Sequence, residues 1–307
     1  MRTAVILNAS SGSDDKQPAA DAIWEAFREA GEACDVLEVA AGTDIKDLAR
    51  RAVEQGAGRV IAGGGDGTLR AVAAALAGTG AEMGLLPVGT LNHFARDMKI
   101  PLDDLAGAAR IAARGTSVAV DVAEVNGHVF LNNAVLGLYP VYRAERHKRE
   151  RRGWGTRRAI LGAILRTARR YPLLTVRLVA DGLPAVRRTA YIMVANNAHA
   201  MEGWKPWERE RMTEGSLWVY VLRDRSRVAW IRVLMRLLRG EALAQTEFEV
   251  FEASEVRVEM ANPQVSISLD GEIVKLKPPL AFRSRPRDLR VVVAPDSERI
   301  GEVLCER

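Results

Sequence analysis

The sequence predicts two folds in series: an N-terminal doubly wound, mostly parallel α/β domain, then a largely antiparallel β domain interrupted by helical insertions. Two observations carry this. Over residues 3–113, short apolar runs alternate with segments of about ten residues whose apolar positions recur at helical spacing, as β/α crossovers require. From about residue 118 the period changes to alternating strands joined by Asn-Gly and Asp-Gly pairs, which favour tight two-residue hairpins.

In the first half the strands are expected at 3–8, 35–39, 59–62 and 83–87, with helices at 21–30, 45–54, 69–77 and 103–113. In the second half, 118–125 and 128–134 flank Asn126-Gly127, and 173–180 and 185–195 flank Asp181-Gly182. Further strands are expected at 216–222, 247–251, 255–259, 265–269 and 273–276. The run Leu289–Val293 could close this second sheet or return to the first. Domain limits at 1–120 and 121–287, with a tail at 288–307, follow from these changes of period.

At 307 residues the chain can bury a large core and form two domains. Its two cysteines, Cys34 and Cys305, make a disulfide framework an unfavoured reading and a reducing compartment the natural one. No apolar run reaches the length of a membrane span, and the first residues are too short a run for a signal sequence. A cytoplasmic protein, at most peripheral to the inner membrane face, is expected.

The net charge of +5 is modest, but it is concentrated. Residues 143–170 set eleven Lys and Arg against Glu145 and Glu150, with Ile160, Leu161, Ile164 and Leu165 as an apolar stripe. Residues 225–239 set five Arg against Trp230, Ile231 and Leu234 with no acid among them. Basic amphipathic helices of this kind suit an anionic membrane surface; equally, their stripes can pack on a sheet and leave a solvated basic face. Neither stretch interleaves aromatics with charge as nucleic-acid readers do, so no nucleic acid partner is expected.

The chemistry is concentrated at Gly63-Gly64-Gly65-Asp66-Gly67-Thr68. Glycines at a strand end let successive backbone N–H groups close around phosphate oxygens, and the helix that follows presents its positive dipole end. A carboxylate inside such a nest is repelled by phosphate unless a divalent cation stands between, so Asp66 points to Mg²⁺ and a nucleotide. The pattern is neither a P-loop ending in Gly-Lys-Ser/Thr nor a G-x-G-x-x-G fingerprint. Two more polar loops follow strands and open on the same sheet edge: Asn8 to Gly12, including Ser11, and Gly89-Thr90-Leu91-Asn92. In the second half, a hairpin turn accounts for Asp270-Gly271, but not for Glu272. A carboxylate held just after a tight turn can act as a general base if that domain faces the phosphate loops.

Taken together, Asn8-x-x-Ser11-Gly12, Gly64-Gly65-Asp66-Gly67-Thr68, Pro87-x-Gly89-Thr90-x-Asn92-x-Phe94-Ala95 and Asp270-Gly271-Glu272 resemble the diacylglycerol kinase catalytic-domain superfamily, which includes bacterial lipid kinases and sphingosine kinases. The resemblance spans nearly the whole chain, in order. It implies a C-terminal β-sandwich, a cleft for ATP and Mg²⁺ between the domains, a tail returning to the first domain, and a lipid substrate of the diacylglycerol type. It further implies that Gly64 to Thr68 and Thr90 hold ATP, that Asp66 works through the metal, that Glu272 accepts the proton, and that Glu214 marks a structural Mg²⁺ position. Arg70, His93 and Leu138-Tyr139 depart from the family's amide at the first position and acids at the other two. A soluble small-molecule kinase related to NAD kinases and a non-catalytic nucleotide or lipid sensor are the competing readings.

Overall fold

The computed structural model describes residues 1–8, 17–40, 42–170, 173–198, 209, 211–239 and 245–295. Ser11, Gly12 and Cys305 therefore lie outside the described residues. The chain divides into two compact units. One takes Met1–Val122, the short segment ending at Gly215 and the chain from Arg285 on; the other takes Ala123–Arg209 and Ser216–Ser284.

The first unit alternates β1 (Thr3–Asn8), α1 (Gln17–Ala30), β2 (Cys34–Val39), α2 (Ile45–Glu54), β3 (Arg59–Gly64), α3 (Asp66–Leu76), β4 (Glu82–Pro87), α4 (His93–Asp97) and α5 (Leu105–Arg114). The four strands are parallel in the order β2-β1-β3-β4. Right-handed crossovers from β1 to β2 and back to β3 run in opposite directions, which puts α1 and α2 on opposite faces. The packing agrees: α1 lies with α5, and α2 with α3. Aspartates cap where the sequence needs them, Asp44 accepting from the Asp47 N–H before α2 and Asp104 from the Gly107 N–H before α5. Cys34 is buried and free, and burial pushes its thiol up.

The second unit contains the end of β5 (Thr116–Val125), then β6 (His128–Phe130), β7 (Asn133–Gly137), α6 (Leu138–Glu150), α7 (Thr156–Arg170), β8 (Leu174–Ala180), β9 (Leu183–Thr189), β10 (Tyr191–Asn196), β11 (Leu217–Leu222), α8 (Arg227–Arg239), β12 (Phe248–Ala253), β13 (Glu255–Glu259), β14 (Val265–Leu269), β15 (Glu272–Leu276) and the first part of β16 (Leu280–Val293). An antiparallel six-stranded sheet has the order β12-β11-β10-β7-β14-β15. Facing it are β13, β8, β9 and the start of β16. Val176, Leu178, Val256 and Phe282 from these strands meet Leu136, Ile192, Val194 and Ile267 of the six-stranded sheet in one core, so the unit is a β-sandwich. The expected turns at Asn126-Gly127, Asp181-Gly182 and Asp270-Gly271 all have positive φ at both residues, the type I′ geometry that matches strand twist.

Three expectations are revised, and one left open is resolved. The strand expected at 128–134 breaks after Phe130, because the Asp270 carboxylate accepts the backbone N–H groups of Leu131, Asn132 and Asn133 and bends the chain there. The third helix begins at Asp66 rather than Leu69, so the Asp-Gly-Thr of the glycine loop is its first turn. The basic stretch 143–170 is two helices, α6 and α7, separated by Gly153 at φ +80. The run 289–293 belongs to the long strand β16, which pairs antiparallel with β13 in the second unit and, at Arg290 and Val291, parallel with β4 in the first.

Helices α6, α7 and α8 cover the outer face of the six-stranded sheet. Leu138, Tyr142, Ala163, Ile164, Trp230, Val233 and Leu234 form a second core with Val135, Tyr191, Met193 and Tyr220. Of the two readings open for Trp230, the structure takes packing on the sheet: it is 1% exposed and meets the Tyr142 ring edge-on at 6.4 Å. Trp230→Ala removes a fully buried aromatic from this layer and is expected to cost ~3–5 kcal/mol of stability in a denaturant titration, whereas loss below ~1 kcal/mol would contradict the packing.

Candidate active site

In a doubly wound sheet, ligands gather beyond the carboxyl ends of the strands where the strand order reverses. Here that point lies between β1 and β3, and a hydrogen bond spans it: Asn8 Nδ2 donates to Thr68 Oγ1 at 2.9 Å. The four glycines at and just beyond the end of β3 divide into two roles. Gly63 and Gly64 are buried in the strand end, where a Cβ would run into the Leu7 and Thr68 side chains respectively. Gly65 and Gly67 are half-buried around Asp66, at the N-terminus of α3. A helix start with a glycine on either side of one acid is suited to backbone anion binding.

The loop after β4 lies directly against this one. A Cβ on Gly89 would overlap the Gly65 α-carbon and stand 3.0 Å from the Gly65 nitrogen. Asn92, in the left-handed region at φ +49, holds the loop's shape from inside: its Nδ2 donates to the Gly89 and Pro87 carbonyls at 2.7 and 3.3 Å, and its Oδ1 accepts from the Gly89 N–H. Asn92 is buried and its amide is engaged with its own loop, while Thr90 and His93 are exposed. The Phe94 N–H, at the start of α4, donates to Asp66 Oδ1 at 3.4 Å and ties the acid to this second loop. Arg70 follows one turn later on α3, half-buried.

Asp121 gave no signal in the sequence beyond being an acid in an alternating strand. It is fully buried, accepting from the Gly215 N–H at 2.7 Å and the Arg287 N–H at 2.8 Å, while its own N–H donates to the Met212 carbonyl. It thereby fixes the segment carrying Glu214, which is half-buried. Among the described residues, no group of three or more His, Cys, Asp or Glu gathers as a metal centre, at Glu214 or elsewhere.

In the second unit, the turn between β14 and β15 does more than reverse the chain. Asp270 Oδ2 accepts from the Leu131 N–H at 2.7 Å, and Oδ1 accepts from the Asn132 and Asn133 N–H groups at 2.8 and 3.0 Å. Arg143 donates to the Gly271 carbonyl at 2.9 Å. The buried Arg209 guanidinium holds the same loop from its other side, donating to the Leu131 carbonyl, the Asn196 carbonyl and Asn132 Oδ1. Glu272 opens β15 in register with Leu269 and is exposed. Its backbone is therefore fixed by a hairpin that is itself clamped. The roles of Asn132, Asn196 and Arg209 come from separations of tens of residues and left no local pattern. Leu138 and Tyr139, where the family carries an acid, begin α6 after Gly137 and join the core, Tyr139 meeting Tyr191 edge-on.

These features define a class: a Gly-Gly-Asp-Gly loop on a parallel α/β sheet, followed by an antiparallel sandwich with an Asp-Gly-Glu hairpin. Comparison with known proteins is specific. The family described as "Diacylglycerol kinase catalytic domain" matches residues 2–125, and the "YegS C-terminal NAD kinase beta sandwich-like domain" matches residues 144–293. The chain thus carries, in order, the domains that these two family models describe.

A protein of Cronobacter sakazakii named "Probable lipid kinase YegS-like" is 44% identical over 108 residues, 33% of this chain and 36% of the relative. Proteins of the same name from Pseudomonas aeruginosa and Pectobacterium atrosepticum are 40% and 34% identical, over 43% and 53% of this chain and 43% and 55% of their own lengths. The chain thus spans between about a third and about half of the curated relatives it matches. A crystal structure titled as a diacylglycerol kinase from Bacillus anthracis strain Sterne shares the fold, with a TM-score of 0.72 at 20% identity over 96% of this chain and 98% of that one.

The contact between the two loops is directly testable. Gly89→Ala forces backbone apart at Gly65 and is expected to cost ~1–3 kcal/mol in a denaturant titration; a change within ~0.5 kcal/mol would contradict the close approach.

Proposed function

We infer that the protein is an ATP-dependent lipid kinase that transfers the γ-phosphoryl group of ATP, with Mg²⁺, to a hydroxyl of a diacylglycerol-like or other lipid acceptor. The observation that carries the reading is the glycine-flanked Asp66 at the first turn of α3. The matched family models support it, and the relatives matched are named as lipid kinases. The close backbone approach of Gly89 to Gly65, with Asn92 holding the one loop and Asn8 bonded to Thr68 beside the other, supports a backbone cradle suited to phosphate oxygens. In this reading residues 1–120 bind nucleotide, residues 121–287 bind the acceptor, and the enzyme works in the cytoplasm at the inner membrane face.

Gly65, Gly67 and Thr90 would hold the phosphates, and Asp66 would hold Mg²⁺. The metal, when bound, neutralises charge on the transferring phosphate oxygens. Phosphoryl transfer requires little covalent participation by the protein, so positioning and electrostatics supply most of the rate. Glu272 orients the acceptor hydroxyl and takes its proton as the acceptor oxygen bonds to the γ-phosphorus; the bond to the bridging oxygen breaks and ADP leaves. Asp270 and Arg209 act as positioning residues, keeping the hairpin that carries Glu272 fixed.

Glu272→Gln keeps the shape of the side chain and removes the base. It is expected to lower turnover by ~10²–10⁴ while ATP binding, measured by titration calorimetry, stays within about twofold of wild type. Unchanged turnover would overturn the assignment of Glu272.

A further inference from the structure

The apolar stripe of α7 is divided by the fold. Ala159, Ala163, Ile164 and Thr167 face the sheet and are buried. Leu161 and Leu165, one turn apart, remain 60% and 46% exposed, and Trp154, just before the helix, is 48% exposed. Leu161 and Leu165 adjoin on one face of α7, and Trp154 lies against the same helix. A Cβ on Gly162 would stand 3.3 Å from the Trp154 ring, so the indole lies against α7 one residue from Leu161 and one turn from Leu165. The Arg149 guanidinium lies 5.8 Å from the indole centroid.

Charge around this patch has one sign. Arg151 and Arg152 precede Trp154, Arg157 and Arg158 follow it, and all four are exposed. The only two acids of α6 and α7 are both paired: Glu145 with Arg149 at 2.6 Å and Arg166 at 3.0 Å, and Glu150 with Arg146 at 2.8 Å. Burial pulls the Glu145 carboxyl up, but its arginine hydrogen bonds outweigh that and hold it below the usual range, so it stays ionised and paired. What remains for a partner is an apolar centre in a cationic rim. By contrast α8 buries Trp230 and Leu234 in the core, pairs Arg236 with Glu247 at 3.0 Å, and leaves Val228 and Leu238 exposed near its opposite ends.

We propose that the exposed face formed by Trp154, Leu161 and Leu165 docks the protein on an anionic lipid bilayer, with the three side chains entering the interface and the surrounding arginines held by anionic headgroups. An aromatic and two leucines among cations match the chemistry of interfacial helices, in which apolar burial and headgroup attraction add. The proposal extends the lipid-acceptor reading by naming the contact surface, and it places that surface on α7, not on α8.

Co-sedimentation with vesicles of phosphatidylcholine alone and of phosphatidylcholine mixed with phosphatidylglycerol tests it. The wild-type chain is expected to bind the mixed vesicles and to release them at high salt. Trp154→Ser/Leu161→Ser/Leu165→Ser, with an unchanged melting temperature because all three side chains are exposed, is expected to bind at least about tenfold more weakly. Equal binding by that variant, equal binding to neutral vesicles, or loss confined to an Arg227→Ser/Arg232→Ser variant on α8 would each overturn the proposal. Turnover on detergent-dispersed lipid separates the two readings. Turnover without vesicle binding overturns the docking face alone, and vesicle binding without turnover overturns the kinase alone.

Discussion

Two backbones meet at Gly65 and Gly89 with no room for a Cβ on the latter, and the chemistry of the parallel sheet's edge depends on that contact. It brings the loop after β4 against the first turn of α3, so that the Phe94 N–H reaches Asp66 and the Asn92 amide can close its own loop beneath. The Asn8 to Thr68 hydrogen bond then ties the loop after β3 to the end of β1. Three strand ends are thereby fixed to one another by short contacts, and pre-organised backbone N–H groups are what anion binding in water requires, since donors that must be ordered on binding lose affinity to entropy.

The sandwich uses a different device. Its six-stranded sheet is buried on both faces, by the facing strands on one side and by α6, α7 and α8 on the other. Double burial explains why β10 is apolar at nearly every position rather than alternating. It also decides what the helices leave outside. Once Ile164, Trp230 and Leu234 are committed to the core, the large apolar side chains that α7 still exposes stand among arginines.

How much of this was legible follows from the range of each interaction. The parallel α/β unit and the antiparallel pairing of the second unit could be read from periodicity, and the three Asx-Gly turns from local φ preferences, because both signals act over a few residues; that the second unit is a sandwich came only from the family resemblance. The glycine loop was legible as a strand end for the same reason. The work of Asp270 was not: its three hydrogen bonds reach residues 137 to 139 positions away, and a type I′ turn alone explains an aspartate there. Asp121 and Arg209 were hidden in the same way, each satisfied by backbone groups brought in by the fold. The destination of Trp230 was open because an amphipathic basic helix has the same pattern whether its apolar side meets a sheet or a membrane.

Phosphoryl transfer from ATP to a lipid, as proposed, is tested by incubating the protein with ATP labelled at the γ-phosphate, Mg²⁺ and a total lipid extract, then separating the organic phase. Label is expected in a lipid-soluble phosphate monoester, and none when the protein is omitted. Binding of ATP with no labelled lipid from any extract would contradict it and leave a nucleotide sensor on a kinase fold.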